Sequence, residues 1–394
     1  QIPSAFHRRI LGLKLPDFEG STAATIIPSV GCPMGCNFCT TSSFFGGKGK
    51  HLDFFATGDE LYEVMSEAAA VQGVDSFFVM DENFLLNRPR AMELMRRMRA
   101  ERRSWEFYVF SSANAIRKYT MEELVELGVA WIWMGLESPH SSYSKLNGTD
   151  TLVLTRELRE HGIRVLGSTI VGLEHHTPEN IKGEIEHAVR HDTDFHQFML
   201  YTPVPGTPLY QQVESEGRLL DVDLADIHGQ FKFNFQHAAI SQEDSQRFLD
   251  YAFERDFEMN GPSIFRMCRT AFSGWQRYHN HPDPRVRARF TRDGRMLRYF
   301  YAGALWAMER KLRKSNPAVS DKIHAFRETL ERAMGPGASL AASVVGPALL
   351  WTSKREERRL ERGQTYEPPT FIERTNWGAA PRTASAGKLT EAVA

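Results

Sequence analysis

The chain has 394 residues, of which 42% are hydrophobic and 25% are charged, and its formal net charge at pH 7 is -1. This is the composition of an ordinary soluble globular protein, and the length allows two domains. A disulfide framework is not favoured, because three of the four cysteines are spaced closely enough to suit a metal and nothing at the N-terminus resembles a secretory signal. We therefore expect a reducing, cytoplasmic location.

From about residue 22 to residue 210, short apolar runs alternate with amphipathic helical patterns. This rhythm is typical of repeated βα units around a parallel sheet. Thr57 ahead of Glu60 and Thr120 ahead of Glu123 are typical helix starts. The sequence therefore predicts an α/β fold with a partial (β/α)6, TIM-like barrel. The predicted strands lie at 24–30, 76–80, 106–110, 130–136, 164–171 and 195–202, and the predicted helices at 57–72, 89–101, 120–127, 151–161 and 177–191.

The remainder of the chain has a helical and basic pattern. Between residues 262 and 362 there are 21 Lys and Arg against 9 Asp and Glu. This charge suits an anionic partner, either nucleic acid or a lipid surface, and a solvated helical face is the simpler alternative. Helices are predicted at 242–259, 262–278, 285–314 and 319–334. The predicted organisation is a lead-in at 1–20, a barrel at 21–220, a mainly α-helical domain at 221–362 and a disordered tail at 363–394.

One apolar stretch, at 335–351, is shorter than the roughly 20 residues that a membrane-spanning helix needs. It also contains Pro336 and Pro347. We expect a core helix there. The alternative is a peripheral contact with a membrane surface, supported by the basic residues of 354–359.

Cys32, Cys36 and Cys39 lie within eight residues, directly after the first predicted strand. Three thiolates can bind three irons of a four-iron cluster and leave the fourth iron open to a small molecule. Structural zinc is the weaker alternative, because only His51 follows at close spacing. The remaining Cys268 is predicted to be a buried apolar side chain, with a reactive thiol as the alternative.

Polar residues stand at the ends of the predicted strands, where parallel barrels gather their reactive groups. A carboxylate such as Glu137 in a barrel mouth needs a partner, which a ribose hydroxyl or an ammonium group would supply. The alternative for each such residue is a helix cap or a tight turn. The candidate ligand contacts are Asp81, Glu82 and Asn83 after the second strand, Ser111 and Ser112 after the third, Glu137 and Ser138 after the fourth, Ile170, Gly172 and Glu174 around the fifth, and Thr202 after the sixth.

The CxxxCxxC run at 32–39, with Phe38 before its last cysteine, resembles the signature of the radical S-adenosylmethionine (SAM) superfamily. GSTIVGLE at 167–174 is similar to the GxIxG pattern of that superfamily. DENF at 81–84 and TPVPGTPLY at 202–210 are similar to its cobalamin-dependent branch. The resemblance covers about residues 20–210. It implies a [4Fe-4S] cluster on the three cysteines and SAM bound by Phe38 and the strand-end residues.

The resemblance also implies an activity. SAM at the open iron would be cleaved reductively to a 5′-deoxyadenosyl radical, which takes hydrogen from an unactivated carbon. The electron would come from a low-potential donor such as flavodoxin or ferredoxin. The cobalamin-binding domain that usually precedes the barrel in this branch is absent from these residues, so the sequence leaves the use of cobalamin open.

The substrate is inferred from the helical half. Basic charge with aromatic residues and an apolar run favours C-methylation or another modification of a lipid or apolar metabolite. The same charge would suit a tRNA-modifying radical SAM enzyme, although no second cysteine triplet supports this. A metal-cluster module that binds nucleic acid is the alternative from a different class of protein.

Overall fold

The computed structural model describes residues 9–10, 13–14, 23–136 and 148–363. Strands β3 and β6 to β10, bounded below, form one parallel sheet in the order β3, β6, β7, β8, β9, β10. Neighbours in the sheet are thus consecutive along the chain, and β3 and β10 form its edges. In chain order the strands are β1 (Arg9–Ile10), β2 (Leu13–Lys14), β3 (Ala23–Ile26), β4 (Ser29–Val30), β5 (Leu52–Asp53), β6 (Ser76–Val79), β7 (Glu106–Phe110), β8 (Val129–Gly135), β9 (Arg164–Val171) and β10 (Phe195–Leu200).

Helices pack on the outer face of this sheet and then form the rest of the described chain. This confirms the predicted α/β fold, a partial (β/α)6 barrel followed by a mainly α-helical region. The domain boundary at residue 220 stays a prediction. The helices are α1 (Thr40–Phe44), α2 (Gly58–Gln72), α3 (Arg88–Ala100), α4 (Ala113–Ile116), α5 (Met121–Leu127), α6 (Thr151–Glu160), α7 (Ile181–Val189), α8 (Pro208–Ser215), α9 (Gln242–Asn260), α10 (Ser263–Tyr278), α11 (Pro284–Met296), α12 (Ala302–Leu312), α13 (Pro317–Met334) and α14 (Pro336–Glu361).

Local capping signals in the sequence are realised in the structure. Thr57 accepts a hydrogen bond from the Glu60 backbone, and Glu60 bonds back to the Thr57 backbone, which forms a capping box at the start of α2. Thr120 and Glu123 do the same at α5. These pairs satisfy backbone donors that a helix start otherwise leaves unpaired.

Two predicted elements differ from the structure near the barrel. The strand predicted at 24–30 is divided into β3 and β4, because the carbonyl of Pro28 accepts hydrogen bonds from Phe54 and Phe55 outside the parallel sheet. The helix predicted to begin at Thr177 begins at Ile181 instead. Its first residues form a turn in which the Thr177 backbone N–H donates to Asn180 Oδ1 over 2.7 Å.

The helical region also contains two corrections. The helix predicted at 285–314 consists of α11 and α12 joined by a π turn at Leu297–Tyr301. The apolar stretch predicted at 335–351 belongs to a longer helix, α14, which continues through Pro347 to Glu361. Within the part of the chain that the structure describes, no helix is long and apolar enough to cross a membrane.

Side chains alternate between the two faces of the barrel strands, as the strand period of two requires. Phe77 and Phe107 point outward and lie in the largest hydrophobic core, against α2, α3 and α5. The neighbouring positions Phe78, Tyr108 and Phe110 therefore face the inside of the barrel. The inner face is consequently apolar and aromatic.

Helix α11 covers the amino-terminal end of the barrel with charged side chains. Arg292 donates to Asp75 over 2.6 Å and to Glu106, which lie beside β6 and in β7. Asp293 accepts a longer bond of 3.5 Å from Arg164 at the start of β9. Because these contacts occupy one end of the barrel, the opposite end, where the strands finish, is the end available to ligands.

The barrel and the helical region meet at a contact between two glycines, Gly162 and Gly274. A Cβ on Gly274 would lie 2.7 Å from Gly162 Cα and 2.6 Å from a ring carbon of Phe290. Gly274→Ala should lower the free energy of unfolding by about 1–3 kcal/mol, because overpacking outweighs the gain in helix propensity. Urea unfolding followed by circular dichroism measures this change.

Gly183→Ala is the matched control, because a Cβ at Gly183 in α7 meets no atom within 4 Å. We expect it to raise the free energy of unfolding by about 0.5–1 kcal/mol through helix propensity alone. If the Gly274 variant were as stable as the Gly183 variant, the two-glycine contact would not be a close one.

Candidate functional site

The three cysteines lie on a loop between β4 and α1 that is fixed by local hydrogen bonds. Cys39 is the N-cap of α1, and its Sγ accepts from the Ser42 backbone N–H over 3.5 Å. The Ser42 hydroxyl donates to the Cys32 carbonyl over 2.9 Å, and the Cys39 N–H donates to the Cys36 carbonyl over 3.1 Å. Gly35 has a positive φ of 71°, which lets the loop turn between the first two cysteines.

The three thiols are half-buried. Burial raises the pKa of Cys32 to about 11, and the neighbouring Cys36, Cys39 and Glu82 add to this effect. Within the described residues, no group of three or more His, Cys, Asp or Glu side chains is spaced to hold a single metal ion. An iron-sulfur cluster does not require the three thiolates to meet at one ion, because each thiolate binds a different iron.

Asp81, at the end of β6, is engaged by protein groups. Its Oδ2 accepts from the Ser29 hydroxyl over 2.6 Å and from Arg90 over 2.5 Å, and its Oδ1 accepts from the Asn83 backbone. Arg90 is buried and also contacts Asp53 at 3.2 Å. Asp81 is one of the predicted ligand contacts and lines the cavity, but its carboxylate is engaged by protein donors and anchors the cysteine loop.

Glu82 is the carboxylate with free accepting capacity. Its Oε2 is buried and has no hydrogen-bond partner among the residues that the structure describes. Burial raises the pKa of Glu82, and the charge of Asp81 raises it further, against hydrogen bonds from backbone N–H groups that include that of Gly31. An unpaired buried acceptor beside three thiols fits a cationic ligand group, such as the ammonium of SAM.

Asn83 joins the ends of β6 and β7. Its Oδ1 accepts from the Ser111 hydroxyl over 2.9 Å and from the Ser112 backbone over 3.0 Å. Its Nδ2 donates to the Ser112 hydroxyl over 2.9 Å. Asn83, Ser111 and Ser112, which were all predicted as ligand contacts, thus form one buried network.

A cavity of about 470 Å³ lies at this end of the barrel, a size typical of small-molecule sites. It brings together ten of the predicted site residues, namely Cys32, Cys36, Phe38, Cys39, Asp81, Glu82, Asn83, Ser111, Ser112 and Ile170. The prediction missed seven further residues that line it, which are Met34, Thr41, Met80, Phe110, Trp133, Gly135 and Ser168.

Aromatic rings form one wall of the cavity and continue below it. Phe110 stacks on Trp133 with ring centroids 4.8 Å apart, and Phe78 lies 5.6 Å from Phe110. Deeper in the barrel, Tyr108 stacks on Trp131 at 5.9 Å. We name these five residues the aromatic wall. The sequence signal for it is an aromatic residue at every second position of β7 and β8.

Three predicted contacts do not reach the cavity. Gly172 has a φ of 79°, and a Cβ there would lie 2.3 Å from a ring carbon of Phe233. The space beside this glycine is therefore occupied by the Phe233 ring and not by a ligand. Glu174 is half-exposed and lies 3.5 Å from Arg218. Thr202 donates its hydroxyl to the backbone carbonyl of residue 200.

Two further predicted residues, Glu137 and Ser138, lie outside the described residues. Cys268 is fully buried in the core of the helical region, and burial raises the pKa of its thiol. A buried thiol with a raised pKa behaves as a small apolar group. Cys268 therefore contributes to packing rather than to this site.

Residues 26–188 match the family described as the Radical SAM superfamily. The matched residues span the cysteine loop and the strands β6 to β9, and members of that superfamily use a [4Fe-4S] cluster and SAM. The thiols and the unpaired Glu82 oxygen fit these two groups. Most of the similar curated proteins are named as methyltransferases or methylases, and one is named as a cyclase.

Three curated relatives are similar to the chain. An uncharacterized methyltransferase of Pyrococcus horikoshii is 25% identical, over 52% of this chain and 45% of that protein. Bacteriochlorophyllide d C-12(1)-methyltransferase of Chlorobaculum tepidum is 27% identical, over 52% and 45%. Hopanoid C-2 methylase of Rhodopseudomonas palustris is 23% identical, over 50% and 38%. The chain therefore spans less than half the length of these relatives.

The electrostatics of Glu82 predict a gain in stability when its charge is removed from the metal-free protein. The folded chain holds the Glu82 proton more tightly than the unfolded chain does, so stability falls as the pH rises past the ordinary value of 4.5. The Glu82→Gln variant has no carboxyl group to ionise at this position, so its free energy of unfolding does not fall for this reason. Its stability advantage should grow as the pH is raised from about 4.5 towards neutral, and it should stop growing once Glu82 ionises in the folded chain as well.

Urea unfolding of both proteins across this pH range is the measurement. Glu67→Gln, which alters an exposed carboxylate of α2, serves as the control. A Glu82→Gln variant that is less stable than the wild type at pH 8 would mean that the carboxylate has a favourable partner in the metal-free state.

Proposed function

We propose that this chain is a radical SAM enzyme that removes hydrogen from an unactivated carbon of a lipid or apolar metabolite and modifies that carbon, most simply by methylation. One observation carries the proposal. Three thiols, the buried Oε2 of Glu82 and the rings of Phe110 and Trp133 share one cavity. The names of the relatives, which include methylases of bacteriochlorophyllide and of hopanoids, support an apolar substrate.

When bound, the cluster and SAM supply a 5′-deoxyadenosyl radical. The protein then has three tasks, which are to bind, to orient and to exclude water. Cys32, Cys36 and Cys39 would each bind one iron. Glu82 would accept a hydrogen bond from the SAM ammonium group, which satisfies its buried Oε2.

The remaining cavity residues would orient the ligands. The network of Asn83, Ser111 and Ser112 presents fixed polar groups at the strand ends. Phe38 and Ile170 supply apolar contacts opposite this network. We assign no ligand contact to the three predicted residues that lie outside the cavity.

The aromatic wall would receive the substrate. The rings of Phe110 and Trp133 line the cavity and offer an apolar surface close to the thiols. Such a surface excludes water, which would otherwise compete for reactive intermediates. Cobalamin as a methyl carrier and a low-potential electron donor such as flavodoxin or ferredoxin complete the proposal.

The test is anaerobic reconstitution with iron and sulfide, followed by dithionite and SAM. We expect the wild-type protein to bind iron and release 5′-deoxyadenosine, and Cys36→Ala to lose at least about a hundredfold of this activity because an iron ligand is missing. Cys268→Ala, which changes a buried thiol outside the cavity, is the matched control and should keep it.

Two outcomes would contradict the proposal. Zinc without iron in protein prepared anaerobically would favour the nucleic-acid-binding module. Intact cluster without 5′-deoxyadenosine would exclude the radical reaction. With cobalamin and an apolar acceptor present, S-adenosylhomocysteine is the product that marks methyl transfer, whereas methylation of a tRNA would favour the tRNA-modifying alternative.

We also propose that the protein contacts a membrane surface through α14. Leu340, Val344 and Trp351 are 66%, 65% and 61% exposed, and their spacing places them on one side of the helix. Arg355 lies over the Trp351 ring at 5.7 Å. An apolar stripe that ends in exposed basic residues is typical of a helix lying at an anionic lipid surface.

Sedimentation with vesicles tests this contact. The wild-type protein should bind vesicles rich in phosphatidylglycerol and not those of phosphatidylcholine alone. The triple variant Leu340→Ser, Val344→Ser, Trp351→Ser should lose at least about tenfold of the binding, since the apolar area is removed. Val71→Ser, on exposed α2 surface, is the control. Equal binding by the wild-type and triple-variant proteins would refute the contact.

A further inference from the structure

A second cavity lies on the outside of the barrel, beside α6. Its volume is about 690 Å³, and its walls come from α6, from residues 190–192 just before β10, and from the helices α10 and α13. It shares no lining residue with the cavity that contains the cysteines. A molecule bound there would contact both the barrel and the helical region, at a distance from the thiols.

Two of the four arginines that line this cavity are held by ion pairs. Arg159 lies 3.2 Å from Asp192 and donates to the Thr270 hydroxyl over 3.0 Å. Arg269 also pairs with Asp192, and its guanidinium lies over the Phe265 ring at 5.1 Å. Asp192 has a φ of 48°, a left-handed conformation that is uncommon for a residue other than glycine. These contacts fix one wall of the cavity.

The other two arginines leave the cavity with an excess of positive charge. Arg156 and Arg190 are exposed and form no ion pair within the part of the chain that the structure describes. Burial lowers the pKa of His191 to about 4, so this histidine adds no charge near pH 7. The four arginines face two carboxylates, those of Glu160 and Asp192. An excess of two positive charges matches a phosphate group better than a single carboxylate, because a phosphate ester carries nearly two negative charges.

The remaining lining residues suit a ligand that has hydroxyl groups and an apolar ring as well as a phosphate. Glu160 forms no ion pair among the described residues, although Arg156 lies one turn before it on α6, in the weaker of the two possible orders. Its carboxylate can therefore accept hydrogen bonds from sugar hydroxyls, and the Ser273 hydroxyl lines the same cavity. Leu152 and the half-buried Phe326 offer an apolar surface to a base.

We propose that this cavity binds a nucleoside phosphate. Arg156 and Arg190 would bind the phosphate groups, Glu160 would accept hydrogen bonds from the ribose hydroxyls, and Phe326 would contact the base. The volume is typical of a small-molecule site. Binding involves no covalent step, and it does not depend on the proposed function. Because α6 belongs to the barrel and α10 to the helical region, the bound nucleotide would also strengthen the contact between them.

The experiment is a calorimetric titration of the whole chain, metal-free and reconstituted, with ADP. We expect one ADP to bind per chain, with an affinity that falls as salt is added. Adenosine lacks the phosphates and inorganic pyrophosphate lacks the nucleoside, so each should bind at least about tenfold more weakly than ADP. SAM also contains adenosine, and the titration is therefore repeated with saturating SAM. An unchanged affinity for ADP is expected, because the two cavities are separate.

Single substitutions assign each part of the ligand to its residue. Arg156→Gln and Arg190→Gln should each weaken ADP binding at least about tenfold, and the folded state should stay intact because both side chains are exposed. Arg277→Gln changes an exposed arginine of α10 that does not line the cavity, so it is the matched control and should bind ADP like the wild type. Glu160→Ala should remove the preference of the wild type for ADP over 2′,3′-dideoxy-ADP, which lacks the ribose hydroxyls.

Several outcomes would overturn the nucleotide site. The wild-type chain would then fail to bind ADP, or the Arg156→Gln and Arg190→Gln variants would bind it as tightly as the wild type. Displacement of ADP by SAM would place the nucleotide in the cysteine cavity instead. Pyrophosphate bound as tightly as ADP would reduce the cavity to an anion site, and a short RNA bound more tightly than ADP would favour nucleic acid. None of these results depends on the release of 5′-deoxyadenosine, so failure here is distinct from failure of the proposed function.

Discussion

The buried ion pair between Asp81 and Arg90 is the contact on which the site depends. Asp81 also accepts a hydrogen bond from Ser29, just before the cysteine loop, and Arg90 also donates to Asp53, which lies in β5 beyond that loop. One carboxylate and one guanidinium thus fix both ends of the segment that carries all three cysteines. Losing one partner alone would leave a buried charge, at a cost of about 3–5 kcal/mol. The pair is therefore a condition for the geometry of the loop, whatever its net contribution to stability.

The pKa values of two acidic groups in the cavity are raised. The Cys32 thiol, whose pKa is raised to about 11, and the buried Glu82 both resist ionisation in the metal-free protein. Iron and a cationic ligand would lower these pKa values, because each supplies a positive charge that favours the ionised thiol or carboxylate. Binding to the folded state alone would stabilise the fold as well as create the site. The site and the stability of the barrel are linked in this way.

Local signals in the sequence account for the elements that were predicted well. Capping boxes such as Thr57 with Glu60 are decided by a few neighbouring residues, and the structure contains them as expected. The strand-end rule likewise placed Asn83 beside Ser112, because parallel strands finish at one edge. Pro28 divides the first predicted strand by directing its carbonyl away from the sheet.

Long-range packing decided what the sequence could not reveal. Whether Asp81 or Glu82 keeps a free oxygen depends on Arg90, which lies in α3 and donates to Asp81. The glycine of the GxIxG pattern, Gly172, accommodates Phe233, which lies some sixty residues further along. The aromatic wall was visible as alternation in β7 and β8, but its meaning required knowing which face of each strand points inward.

The incomplete closure of the sheet has a consequence for how molecules would come and go. The inward-facing residues of its edge strands, Ile27 next to β3 and Phe195 on β10, are 47% and 39% exposed. The gap between these two edges therefore leaves part of the inner face of the barrel open to solvent. A large ligand could reach the inner face through this gap and need not pass the cysteine loop.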